Sequence, residues 1–222
     1  MSKQSPSGPE RRSFLTRFNT GAASLVALAM GSRAMAQVKL EPGTRWEPAR
    51  HDKDDWMDAI PGKHRLIIDT TSGDAFRDAL LFTSNFILAN RSDYGLENTD
   101  LANIIVARHQ STAFAYTDAM WAKYGVPIAA RANFVDPKTK EAPKVNVHTA
   151  TLDTLAKQGV RFAVCSMATR NLAGLIAKAM NGDADAIAVE LSSNLVSNAR
   201  MVPAGIVAVN RGQERGYSLV TA

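Results

Sequence analysis

Cys165 is the only cysteine of this 222-residue chain. It closes a compact apolar run, Val160-Arg161-Phe162-Ala163-Val164, and stands just before a segment with helical periodicity. In open α/β sheets ligands gather beyond the carboxyl ends of the strands. A thiol at such an end, facing the N–H groups of the following helix, is favoured as thiolate, which suits nucleophilic or sulfur-transfer chemistry. The alternative is a small buried hydrophobe, a common fate of free cysteine. With a single cysteine no disulfide can form within one chain.

His109 follows a second apolar run, in Arg108-His109-Gln110-Ser111-Thr112, and should reach the same edge, where a base could assist the thiol. A loop histidine that caps a helix or meets a neighbouring subunit is the plainer alternative. Asp69 ends a third apolar run, and Arg170 lies in the first turn after Cys165. With Arg108 they complete a candidate polar binding set, although Asp69 could instead cap a turn and Arg170 could be a solvated charge. Trp56, Trp121 and Tyr124 read as core or interface aromatics, and Lys138, Lys140 and Lys144 as a solvated loop.

Several common machineries are missing from the sequence. There is no Gly-x-Gly-x-x-Gly after a strand, no Gly-Lys-Ser/Thr phosphate loop, no Gly-x-Ser-x-Gly elbow and no paired cysteine motif. The four histidines, His51, His64, His109 and His148, lack ligand spacing, so neither a metal nor a cofactor is expected. The net charge of +5 is concentrated at the N-terminus, where residues 1–36 carry five basic side chains against Glu10 alone. The remaining 21 basic and 20 acidic residues nearly balance, which argues against a nucleic-acid partner.

That N-terminal segment reads as an address. Arg11-Arg12-Ser13-Phe14-Leu15 precedes an uncharged, mostly apolar stretch, residues 21–31, and then Ala34-Met35-Ala36. A basic region, a short apolar region and a small-x-small site make a signal peptide of twin-arginine type, with cleavage expected after Ala36 and a periplasmic or otherwise exported product. Eleven residues are too few to cross about 30 Å of hydrocarbon, so no membrane span is expected after cleavage.

Residues 37–63 read as an irregular arm with a short helix near 54–59. Beyond it, apolar runs alternate with helical patterns. Strands are expected over 65–70, 104–107 and 160–165, and near 201–202 and 217–220. Helices are expected from Phe76 to about Leu88, over 112–124 ending at Gly125, and near 152–156. Another is expected after Cys165, capped by Ser166 or Thr169, with Leu172, Leu175, Ile176, Ala179 and Met180 as its stripe and Gly182 at its end. Two more follow at 183–195 and from Pro203 to Gln213. Residues 126–149 read as a long loop. Continuous apolar strands alternating with helices predict a single α/β domain over 64–222, with a mainly parallel sheet of about five strands covered by helices on both faces.

The run Gly159-Val160-Arg161-Phe162-Ala163-Val164-Cys165, followed after two helices by Val202-Pro203-Ala204-Gly205-Ile206 and Gln213-Glu214-Arg215-Gly216-Tyr217, resembles the DsrE/DsrF-like family of small α/β sulfur-relay proteins. The Val106-Ala107-Arg108-His109 segment is compatible with it, and the likeness extends over residues 64–220. The resemblance implies a compact parallel-sheet fold, homo-oligomers that are trimers or hexamers, and a cysteine that carries persulfide between donor and acceptor proteins. By position that cysteine is Cys165. The chain departs from the family in its export signal, its arm and its loop at 126–149. A non-catalytic oligomer that binds a small ligand or partner, with a structural Cys165, is the rival expectation.

Overall fold

Each apolar run has a helix, a turn or both between it and the next, and this spacing produces parallel rather than hairpin pairing. The computed structural model describes residues 46–222. The signal peptide read at 1–36, its cleavage after Ala36 and the arm up to residue 45 lie outside the described residues. Strands β1 (His64–Thr70), β2 (Leu101–Ala107), β3 (Arg161–Cys165), β4 (Ala199–Val202) and β5 (Ser218–Thr221) form one all-parallel sheet in the order β4-β3-β2-β1-β5. The expected α/β fold with its five-stranded sheet is the one found.

Side-chain alternation divides the sheet between two cores. Ile68, Ile105, Ala107, Phe162 and Val164 point to one face. There they pack beneath α1 (Gly73–Tyr94), α2 (Asp118–Ala132), α3 (Thr149–Lys157), α4 (Ser166–Met180) and α5 (Ala184–Ser193). Ile67, Ile104, Val106, Ala163 and Val202 point to the other. That face is covered by α6 (Gly205–Glu214) and the 3-10 helix Asp52–Met57, whose Met57 is fully buried. The 3-10 helix lies two residues earlier than the sequence suggested and is held to the domain by charge: Asp54 pairs with Arg211, and Asp58 with Arg50, Arg65 and Arg215. Among the described residues, no helix is long and apolar enough to cross a membrane.

Several local expectations are corrected. The helix expected over 112–124 begins instead as a 3-10 turn, Ser111–Ala115, and α2 then runs through Gly125 and Pro127 to Ala132. Gly125 does not stop it: a Cβ there would lie 2.5 Å from the Pro143 carbonyl oxygen, so the glycine serves close approach of the loop. Pro127 is tolerated because the backbone is kinked at Tyr124 (φ −122°, ψ 19°), which already breaks the helical hydrogen-bond ladder. The loop expected from 126 therefore starts at Asn133. It is anchored by Asn146, whose side-chain amide donates to the carbonyls of Phe114 and Tyr116 at 2.8 and 2.9 Å.

The stripe expected on α4 is also split. Leu172 and Ile176 are buried, whereas Leu175 and Met180 are 49% and 53% exposed and face outward beside Val126 of α2, which is 73% exposed. Finally, Asn181 in left-handed conformation (φ 52°) closes α4 one residue before Gly182, and Pro203 precedes rather than begins α6.

His148 packs edge-on against Phe114, with ring centroids 5.1 Å apart, and its pKa is pushed down by burial and then by the Arg77 charge. The unfolded chain, with an ordinary value of about 6.5, takes up this proton first. Stability from His148 is thus complete above that value and lost as pH falls toward the folded one. His148→Phe should flatten the dependence of the urea midpoint between about pH 7.5 and pH 5 relative to wild type. An unchanged slope would refute the assignment.

Candidate functional site at the carboxyl edge of the sheet

The strand order dictates where the pocket forms. The chain lays down β1 to β4 in one direction and must then place β5 on the far side of β1. With its other crossovers on the opposite face, α6 passes under the sheet alone, starting at the carboxyl ends of β2, β3 and β4. Its first residues, Ala204, Gly205 and Ile206, roof a pocket of about 200 Å³. The walls come from Arg108 and His109 after β2, from Cys165, Met167, Ala168 and Asn171 at the start of α4, and from Arg131 near the end of α2.

Cys165 is 7% exposed and is itself the N-cap of α4, replacing the expected Ser166 or Thr169. Its Sγ accepts the Ala168 N–H at 3.4 Å, in the place where a hydroxyl or carboxylate oxygen usually sits. Thr169 instead donates its hydroxyl to the Cys165 carbonyl at 3.0 Å and lies 2.8 Å from the Tyr116 hydroxyl. Since the Thr169 proton is committed, Tyr116 is the donor of that pair. Burial raises the Tyr116 pKa well above the phenol range, so the phenol keeps its proton. This buried chain fixes the turn that presents the sulfur.

Asp69, 5% exposed at the end of β1, receives Arg108 in a two-point ion pair: Nε to Oδ1 and Nη2 to Oδ2 are both 2.7 Å. The pair is possible because Asp69 sits opposite Val106 in the β1–β2 register, so Arg108 has only to turn its side chain back. Ser111 fixes that turn, accepting the Arg108 N–H at 3.0 Å and donating to the Thr70 carbonyl at 2.9 Å. His109 then adopts a left-handed conformation (φ 59°) that leaves its ring exposed on the pocket rim. The approach of α6 is equally constrained: a Cβ on Gly205 would fall 2.5 Å from Cβ of Arg108.

The structure therefore brings Cys165, His109 and Arg108 to one pocket, with Asp69 behind Arg108. Arg170 is not among the lining residues; it is exposed, and the side of α4 that borders the pocket is taken by Met167 and Asn171, four residues apart. Arg131 was missed. Among the described residues it makes no ion pair, and no sequence pattern relates it to Cys165, 34 positions later. The arrangement can hold negative charge on sulfur or on a small ligand. With Arg108 paired to Asp69, the amino end of α4 and Arg131 favour anions there, and Ala204 supplies no side chain to cap α6. Among the described residues, no three His, Cys, Asp or Glu side chains gather as a metal site.

No protein-family model matches this chain, and no curated protein matches it. Among solved structures, it is similar to a protein of unknown function from Methanobacterium thermoautotrophicum, with 18% identity and a TM-score of 0.41 over 72% of this chain and 100% of that one.

Asp69→Asn keeps the shape of the side chain but removes the charge that Arg108 faces. Because the pair is largely shielded from water, a loss of about 2 kcal/mol is expected in urea unfolding. A change below about 0.5 kcal/mol would mean that the pair does not organise this edge.

Proposed function

We propose that the protein carries sulfane sulfur as a persulfide on Cys165. The observation behind this reading is a thiol that caps a helix from within a small pocket that Arg131 also lines, a setting suited to nucleophilic sulfur chemistry. The Cys165 thiolate attacks the outer sulfur of a donor persulfide, R–S–SH. A new S–S bond forms at Cys165 as the donor S–S bond breaks, and R–S⁻ leaves with the electron pair and is protonated. An acceptor thiolate then attacks the outer sulfur of Cys165–S–SH, and Cys165 departs as thiolate, so no external oxidant or reductant is consumed. His109, on the rim, exchanges the proton with solvent, while Arg131 faces the charge of the bound persulfide. The N-terminal segment 1–36 supports placing this chemistry in an exported compartment.

The test uses a low-molecular-weight persulfide donor and intact mass. Wild-type protein should gain one sulfur that reductant removes, whereas Cys165→Ser should gain none and keep its circular dichroism. Loading that survives the substitution, or its absence in wild type, would sink the proposal. A second reading, a binding protein with a structural thiol, is favoured by the low exposure of Cys165. It predicts alkylation only after unfolding.

We further propose that the protein is a homo-oligomer, a trimer or hexamer, that covers the outward apolar face of α2 and α4 around Val126, Pro127, Leu175 and Met180. This face meets the Cys165 pocket at Arg131, so a neighbouring subunit would narrow access to the thiol. Sedimentation should show an assembly that Val126→Asp combined with Leu175→Asp converts to monomer. A wild-type monomer at micromolar concentration would contradict it.

A further inference from the structure

The opposite, amino edge of the sheet carries a second cavity, about 310 Å³, on the face covered by α6 and the 3-10 helix. Its cations come from neighbouring strands. Arg161 begins β3, and Arg200 on β4 stands opposite Ala163, so both side chains belong to the same face. Asn198, in left-handed conformation (φ 59°), organises the corner. Its side-chain amide donates to the carbonyl of Ala156 at 2.7 Å, and its Oδ1 accepts one N–H of Arg161 at 2.8 Å. Arg161 is thereby fixed at the cost of one donor. Arg200 lies over the Trp56 ring, 4.9 Å from its centroid, which leaves the N–H edge of its guanidinium unused by the stacking.

Neither arginine makes an ion pair among the described residues, although acids are close in sequence. The 3-10 helix separates its side chains: Asp54, Asp55 and Asp58 face Arg211, Arg215, Arg50 and Arg65, while Trp56 turns toward β4. Among the described residues no acid lines the cavity, and its remaining wall is apolar, from Trp56, Ala59 and Ile60. Two planar guanidinium groups with free donors match the oxygens of a phosphoryl group, and an apolar wall next to them matches a short organic body. A bare inorganic ion would leave that wall empty.

We propose that this corner binds a small phosphomonoester dianion, with Arg161 and Arg200 on the phosphoryl oxygens and Trp56 and Ile60 against the organic group. The site is separate from the Cys165 pocket and independent of the persulfide reading, since the two lie at opposite ends of β3.

The experiment is calorimetric titration of the full chain with phenyl phosphate, with inorganic phosphate and phenol as comparison probes. Phenyl phosphate should bind one to one and at least about tenfold more tightly than inorganic phosphate, and phenol should not bind. Arg200→Gln and Arg161→Gln should each weaken phenyl phosphate by about tenfold or more, the size of one lost charged contact. Cys165→Ser should leave it unchanged. Arg200 is exposed and among the described residues makes no hydrogen bond that holds the fold, so its variant decides the question even if Arg161→Gln is poorly folded. No binding by wild type, or equal affinity in Arg200→Gln, would overturn the site. Equal affinity for phosphate and phenyl phosphate would overturn the role of the apolar wall.

Discussion

The Asp69–Arg108 ion pair ties together the parts of the carboxyl edge that the chain supplies at different times. A carboxylate at the end of a central strand is costly to bury alone, and two short hydrogen bonds from one guanidinium offset that cost. The consequence extends beyond the pair. Once the Arg108 side chain lies back across the strand ends, its stem becomes the surface on which α6 begins, and that surface has no room for any side chain at position 205. The start of α6 then becomes the roof over Cys165. Strand pairing, the turn after β2 and the pocket are therefore parts of one arrangement.

Connectivity accounts for the unequal layers. The thick layer, α1 to α5, buries the large aromatic cluster of Phe76, Phe114, Trp121 and Phe162 and carries most of the core. The thin layer has only α6 and the 3-10 helix, and it relies on ion pairs to Arg211 and Arg215 where apolar area is short. A thin layer leaves the two ends of its face open. One opening contains the thiol and the other contains Arg161 and Arg200, so the cavities at both ends follow from a single crossover.

At the thiol end, local structure and long-range packing act on the same atom. The helix that follows β3 begins without a spacer, so sulfur occupies the position of a capping oxygen and accepts a backbone N–H. Burial of Tyr116 and its bond to Thr169 hold the Cys165 carbonyl from behind. Positive charge arrives from a different helix through Arg131. The cap and the buried Tyr116–Thr169 chain restrict the motion of the sulfur, and Arg131 sets a cation on the same pocket.

Much of this was legible in the residues themselves. Continuous apolar runs such as Ile104-Ile105-Val106-Ala107 need burial on both sides, and helical patterns between them leave a parallel sheet as the natural arrangement. Cys165 and His109 could be placed at its carboxyl edge for the same reason. Boundaries failed where a residue has a tertiary purpose: Gly125 reads as a stop but makes room for Pro143, and Leu175 and Met180 read as core but face outward. Most of the site's geometry was not legible either. Arg108 reaches an aspartate 39 residues away, Arg131 comes from a helix expected to have ended, and Gly205 is needed only because Arg108 lies beneath it. Local periodicity records how each segment meets water and core, whereas the contacts between side chains distant in sequence exist only once the sheet order has set which ends lie side by side.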